Sequence, residues 1–527
     1  MKSNRASCFG ITKSRWIVVM AIAVLWWNCA GLSVLAATQT QPKSSIQPYI
    51  NRVIEQITEF TLDNGLQFIV LENHEAPVVS FVTYANVGGV DEPDGQTGVA
   101  HFLEHLAFKG TKKIGTTNYP AEAKELDKLD TIFAEIQQVQ KSGDKTKLAQ
   151  LTEQFVATQA AANKYVKQNK FGEIVDTAGG VDLNAATSAD ATSYFYSFPA
   201  NKLELWMSLE SERFLEPVFR EFYQEKQVIL EERRMRTDNS PIGKMIEEFL
   251  DIAYDIHPYK RPVIGYEGDI DALSRENVEK FFKTYYSPNN LTIAIAGDVY
   301  PDDVQKLAKT YFGRFKAQSQ TQPSVVAKVE PPQSKTKEVT VTFPSQPWYL
   351  EGYHIPALSD PDYVVYEVIA QLLSSGRTSR LYKSLVEEQQ LALSAQGFSG
   401  FPGDKYPNLM LVYALTSPGT SVDRLATALR AEIERLKTEA VAPEELEQVK
   451  TQLKAGLLRT LDSNMGMARV LAEYQAKTGS WRNIFEELKK LEAITPQDIQ
   501  RVALKTFTEE NRTIGKLLPP IYRANAS

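Results

Sequence analysis

The hydrophobic pattern changes character along the chain and marks out its elements. Residues 60–89, "FTLDNGLQFIVLENHEAPVVSFVTYANVGG", form a β-prone run broken at Asn64-Gly65, which predicts strands joined by a tight turn. From Ala121 the period lengthens: Leu126, Leu129, Ile132, Phe133, Ile136 and Val139 recur at helical spacing. Ser142-Gly143-Asp144 then supplies a turn, and Leu148, Leu151, Phe155 and Tyr165 continue the pattern. This predicts a helical hairpin over about 120–170, charged on its outer faces. It reads as a solvated packing insertion, with a substrate-gating or partner-docking arm as the alternative. "GGVDLNAATSADATSYFYSFP" (179–199) is β-prone after a glycine pair, residues 202–219 and 222–239 read as consecutive helices, and 277–299 as helix, turn and strand.

Residues 317–337 are polar, hold three prolines and have no helical period, so they read as a linker. A second half then opens on a strand, "KEVTVTF", runs through helices around 361–390 and 421–437, and closes with long helices from about 443. Two halves of similar α+β pattern about one linker predict internal duplication. The expected organisation is a leader over 1–37, a polar stretch over 38–54, a first domain over 55–316, the linker, and a second domain over 338–527.

The leader stands apart in composition. Lys2, Arg5, Lys13 and Arg15 precede an apolar run from Trp16 to Trp27, and small residues at Ala36-Ala37 offer a cleavage site. That run is shorter than the roughly 20 residues of a spanning helix, so it reads as a signal peptide, and export to a periplasmic or equivalent compartment is expected. Both cysteines, Cys8 and Cys29, lie inside it, which excludes a disulfide or a catalytic cysteine from the mature chain. The leader carries four positive charges and no acid, so its removal takes the formal net charge from −7 to −11. Nucleic acid is not an expected partner of such a chain. Basic peptides are attracted to it.

Against this background, "GVAHFLEHLAFKG" (98–110) is chemically loaded, because two of only five histidines stand four apart. On a helix His101 and His105 share one face, and Glu104 lies close to it. Two such imidazoles can hold zinc, although a catalytic zinc usually takes a third protein ligand. Glu104 is placed to act as general base towards water activated by the metal. The order His-x-x-Glu-His is the inverzincin pattern.

Four segments in order resemble the pitrilysin/insulinase metallopeptidase family, in the short-chain branch that includes mitochondrial processing peptidase: "GVAHFLEHLAFKGT", "GGVDLNAATSADATSY", "EKQVILEE" and the run from His257 to Val299. The resemblance implies an α+β fold of two homologous halves, antiparallel-rich sheets layered with helices and together forming half of a clamshell, the second half catalytically inactive. It implies one zinc per chain held by His101, His105 and Glu232, the last glutamate of Val228-Ile229-Leu230-Glu231-Glu232, with Glu231 as the adjacent alternative. Glu225, two helical turns before Glu232, matches a supporting carboxylate. Asn184 and Ala185 match a substrate-binding edge strand. His101 and Glu232 are 131 positions apart, longer than is usual in the family, and the predicted hairpin accounts for the excess.

The activity so implied is zinc-dependent endopeptidase action on unfolded or short peptides inside a closed chamber. A non-catalytic scaffold subunit and a peptide-binding or chaperone module are the alternatives. One family feature is missing. Where many active members carry an arginine and a tyrosine seven apart in the second half, this chain has Val386 and Leu393. Arg377, Arg380 and Tyr382 lie just upstream as possible substitutes. The expected assembly is therefore a heterodimer with a related, zinc-free subunit that supplies the two side chains, with a homodimer as the alternative.

Overall fold

The computed structural model describes residues 47–316 and 329–520; the leader and most of the linker lie outside the described residues. The chain divides into compact units at Met1–Pro48 and Tyr49–Ser527, and the second unit is described here. It contains two sheets. The first comprises β1 (Ile57–Thr61), β2 (Gln67–Glu72), β3 (Val78–Ala85), β4 (Val181–Thr187), β5 (Thr192–Pro199) and β6 (Leu291–Gly297), in the order β1-β2-β6-β3-β5-β4. The second comprises β7 (Lys337–Thr342), β8 (Trp348–Ile355), β9 (Ala392–Phe401), β10 (Asn408–Thr416) and β11 (Arg512–Leu518), in the order β7-β11-β8-β10-β9.

Without β1, the two orders are the same. β2 pairs parallel with β6 as β7 does with β11, and every other pair in both sheets is antiparallel. The expected α+β duplication is thus present at the level of strand connectivity. Each sheet packs one face on its own helices, around Phe81, Trp206 and Phe222 in the first half and around Val368, Leu385 and Leu429 in the second.

The opposite faces are covered by exchange. Helix Asn464–Thr478 of the second half lies across β3 and β6, with Met467, Ala468, Leu471 and Ala472 buried, while helix Pro241–Ala253 of the first half lies across β7 and β11. Phe249 of the latter approaches so closely that a Cβ at Gly352 would stand 2.6 Å from its ring. Glycine there lets the helix seat. Polar ties reinforce the junction: buried Asp190 accepts the Tyr259 hydroxyl at 2.5 Å and the amides of Asp404 and Lys405 at 2.8 and 3.1 Å.

The hairpin forms as helices Tyr119–Ser142 and Lys145–Asn163. Asn118 and Asp144 cap their N-termini, and Gly143 takes the left-handed conformation between them, so the turn falls where the sequence puts it. Its root is held by a buried pair, Arg220 Nε to Glu122 Oε1 at 2.7 Å.

Two elements differ from expectation. Within the polar stretch, residues 47–55 form a helix that buries Ile50 and Val53. Among the described residues the last element is β11 rather than a helix. "RTIGKLL" is short and without a helical period, and it gains strand structure by inserting between β7 and β8. Among the described residues no helix is long and apolar enough to cross a membrane.

Candidate metal centre

The helix Val99–Leu106 follows β3 and buries Val99, Ala100, Phe102, Leu103 and Leu106 against the first core. Its entry is tight. Gly98 has φ 87°, and a Cβ there would stand 2.6 Å from the Ile264 carbonyl oxygen, so only glycine is accommodated. The exposed amides of the first turn are met by a buried carboxylate: Glu92 accepts from Gly98 N and Ala100 N, both at 2.9 Å. Burial pushes the Glu92 carboxyl up to about 8.

His101, Glu104 and His105 lie off the apolar face. Glu232 comes from helix Phe222–Arg233, which packs on the histidine helix through Phe222 against Phe102. His101 Nε2 and His105 Nε2 face opposite oxygens of the Glu232 carboxylate, at 3.8 and 3.5 Å. One ligand atom from each of the three residues lies within 4.8 Å of the others. A tetrahedral ion with bonds of about 2.0–2.1 Å needs donors about 3.3–3.4 Å apart, so this set fits zinc with small adjustment. Glu231, the adjacent alternative, instead points outward and pairs with Arg234 at 2.7 Å.

Burial, together with His105, pulls the His101 pKa down to about 4, leaving a neutral ligand at pH 7. For His105 burial works in the same direction, but bonds to Glu225 and Glu232 outweigh it and push the pKa up to about 9. Binding a cation therefore releases a proton from His105. Glu225 Oε2 lies 3.3 Å from His105 Nδ1, an arrangement that keeps the proton on Nδ1, so the proton that a cation would displace is the one on Nε2, which faces Glu232.

Further residues complete the site. Lys109 bonds Glu225 at 2.5 Å and Glu221 at 3.2 Å, and exposed Arg236 reaches Glu232 Oε1 at 2.9 Å. Thr187 Oγ1 donates to Glu104 Oε2 at 2.5 Å. Burial raises the Glu104 pKa, and the Thr187 hydroxyl opposes the rise. Lys109 lies just beyond the end of the histidine helix and Glu221 just before the start of helix Phe222–Arg233, so helical spacing reports neither. Thr187, Arg236 and Glu92 carried no signal that the sequence reading used.

Glu104, His105, Phe108, Lys109 and Asn184 share a cleft of about 560 Å³. Asn184 and Ala185 sit on β4, which among the described residues pairs with β5 alone and forms the sheet edge. In the second half, Val386 packs against the core and Leu393 is exposed on the edge strand β9. Arg380 is engaged by Glu445 through two bonds at 2.9 and 2.8 Å, which removes it as a free substitute for the missing arginine.

Comparison with known proteins places this architecture. The model for insulinase (peptidase family M16) matches residues 68–129 and 148–267, and the model for the peptidase M16 inactive domain matches 272–453. Together they span more than half of the chain, which belongs to the M16 peptidase family. The gap between the first two matched stretches falls at the tip of the hairpin. The zinc protease PqqE of Helicobacter pylori is 29% identical over 465 residues, 87% of this chain and 92% of that protein. A probable mitochondrial-processing peptidase subunit beta of Schizosaccharomyces pombe is 24% identical, with 90% and 94% covered. The crystal structure of a protease from Helicobacter pylori superposes with a TM-score of 0.74 at 28% identity, covering 88% of this chain and 99% of that one.

Proposed function

We propose that this chain is an exported zinc-dependent endopeptidase acting on unfolded peptides in a closed chamber, with one zinc held by His101, His105 and Glu232. The observation that carries the reading is the convergence of the three donor side chains within 4.8 Å beside the half-buried carboxylate of Glu104, on the helix of the two histidines. Bound zinc supplies Lewis acidity, lowering the pKa of water to about 7 and polarising a peptide carbonyl. Glu104 takes the proton from the attacking water and passes it to the leaving amine. Asn184 and Ala185, on the open edge of β4, align the peptide through main-chain hydrogen bonds, which favours broad sequence tolerance. Glu225 holds the tautomer of His105.

The apolar side chains at Val386 and Leu393 cannot donate a hydrogen bond to substrate. The reading therefore includes a related, zinc-free partner subunit that supplies an arginine and a tyrosine. Export rests on the leader, whose basic start, apolar run and small-residue end have the form of a signal peptide.

The test is zinc analysis beside a fluorogenic-peptide assay on wild type and Glu104→Gln. The variant should keep its zinc and lose hydrolysis by about 10²- to 10⁴-fold. His101→Ala, His105→Ala and Glu232→Ala should lose the metal, whereas Glu231→Ala should keep it. Near-wild-type turnover in Glu104→Gln would overturn the mechanism. A wild-type chain without zinc would favour the scaffold alternative.

A further inference from the structure

Glu104 has three rotatable side-chain bonds and borders an open cleft of about 560 Å³, so packing alone does not fix its carboxylate. One neighbour does. The Thr187 hydroxyl donates to Oε2 at 2.5 Å, a charge-assisted bond to an ionised carboxylate. Thr187 is itself held in place. It pairs with Thr192 at the end of the β4–β5 ladder, and the hydroxyls of the two residues are 3.3 Å apart. Thr192 is fully buried and donates to the Val87 carbonyl at 3.1 Å. Both hydroxyl protons are thereby committed, so the contact between the two threonine oxygens is a packing contact, and the β4–β5 pairing holds Thr187 while its single proton serves Glu104. The Thr187 backbone also faces the Glu104 carboxylate, and the hydroxyl supplies the short bond that fixes Oε2.

We infer that Thr187 is a positioning residue for Glu104, and that the strand which aligns the peptide thereby also aims the base. The inference rests on the peptidase reading above and deepens it. Asn184 and Ala185 precede Thr187 by three and two residues on β4, so peptide docking and base orientation share one element. The hydroxyl is not needed to form that strand. Pairing of Asn184, Ala185 and Ala186 with Phe195, Tyr194 and Ser193 holds the register without it.

The test compares Thr187→Val, which keeps shape but has no donor, with Thr187→Ser, which keeps the hydroxyl. Wild-type and variant proteins are assayed with a fluorogenic peptide, analysed for zinc and crystallised. The valine variant should lose about 10- to 100-fold in kcat with KM within about twofold, and its zinc content should be unchanged. Its Glu104 carboxylate should be turned away from the wild-type position. Serine should restore kcat to within about threefold. An unchanged kcat in the valine variant, or a raised KM with kcat intact, would overturn the inference, the latter marking a role in strand binding only. Absence of activity in the wild type, both alone and with its partner subunit, would instead sink the peptidase reading. The crystallographic comparison then still decides whether Thr187 orients Glu104, and an unmoved carboxylate refutes it. Thr187→Ala replaces the valine variant if that protein does not fold.

Discussion

Substitution of Glu225 isolates the role of a residue that touches a metal ligand but is not proposed to be one. Its carboxylate lies 3.3 Å from His105 Nδ1 and 2.5 Å from Lys109 Nζ. Removal has two components. The first is the orientation and basicity of His105, for which an outer carboxylate is typically worth 10- to 100-fold in metal affinity, about 1.4–2.7 kcal/mol. The second, an abandoned Lys109, is small here, because that lysine keeps Glu221 at 3.2 Å. Glutamine at 225 can still accept from Nδ1 and keeps the ring in place, so only the charge is lost. Glu225→Gln should therefore weaken zinc binding by about tenfold, at the low end of that range, and Glu225→Ala by nearer 100-fold. Competition with a chromogenic chelator measures both, with circular dichroism confirming the fold and Glu231→Ala as the control, since Glu231 points to Arg234. Wild-type affinity in Glu225→Ala, or a larger loss in Glu231→Ala, would refute the reasoning.

Three further outcomes follow from other parts of the molecule. Glu122→Ala leaves Arg220 buried without its carboxylate at the root of the hairpin, and chemical denaturation should show a loss of about 3–5 kcal/mol; a loss under about 1 kcal/mol would mean that carbonyls alone satisfy the arginine. Glu92 has a folded pKa of about 8, above its ordinary 4.5, so its stabilising contribution is full below pH 4.5 and is lost as pH rises through 8. The thermal midpoint should accordingly fall across that window, and a Glu92→Gln variant with the same slope as wild type would assign the dependence elsewhere. Finally, a stable folded protein should be cleaved far more slowly than its denatured form, and net-basic peptides should bind less well in high salt; equal rates on both forms would exclude a closed chamber.

What could be read in the sequence was local. The hairpin is legible through a helical period and a Ser-Gly-Asp turn, both of which act within a few residues. His101 and His105 were legible for the same reason, because four-residue spacing on a helix brings side chains together whatever surrounds them. Glu232 and Glu225 needed the family resemblance: they lie on another helix, and nothing in the spacing of one chain reports which helices pack. Lys109 and Glu221 flank the two helices rather than belonging to them, and only the packing of one helix on the other brings Lys109 to Glu225 and Glu221. Thr187 and Glu92 belong to a third kind. Thr187 reaches Glu104 across the fold from a strand end, and Glu92 reaches the nearby helix start from a loop, so neither contact leaves a periodicity behind. β11 escaped notice similarly, because its strand character comes from the slot between β7 and β8 rather than from its own short pattern.

The shared strand order also bears on why a half without metal ligands is retained. The helix that follows β8, Tyr363–Ser374, stands where the histidine helix stands after β3, yet it buries an almost wholly apolar set, Val364, Val365, Val368, Ile369, Leu372 and Leu373 among them. It can pack a core but cannot hold an ion. The same half nevertheless sends helix Asn464–Thr478 across β3 and β6, and burial of Met467 and Leu471 there contributes roughly 1.5–3 kcal/mol each. Without that cover, the face of the first sheet opposite its own helices would meet water. β3 leads into the histidine helix and pairs with β5, which carries the edge strand β4. Misplacement of a reacting group by about 1 Å can cost roughly 10²-fold in rate, so a sheet loosened on one face would be felt at Glu104 and along β4 before the chain unfolded. The second half thus contributes to the proposed chemistry through the rigidity of a sheet it does not own, and the reciprocal packing of helix Pro241–Ala253 on β7 and β11 makes that dependence mutual.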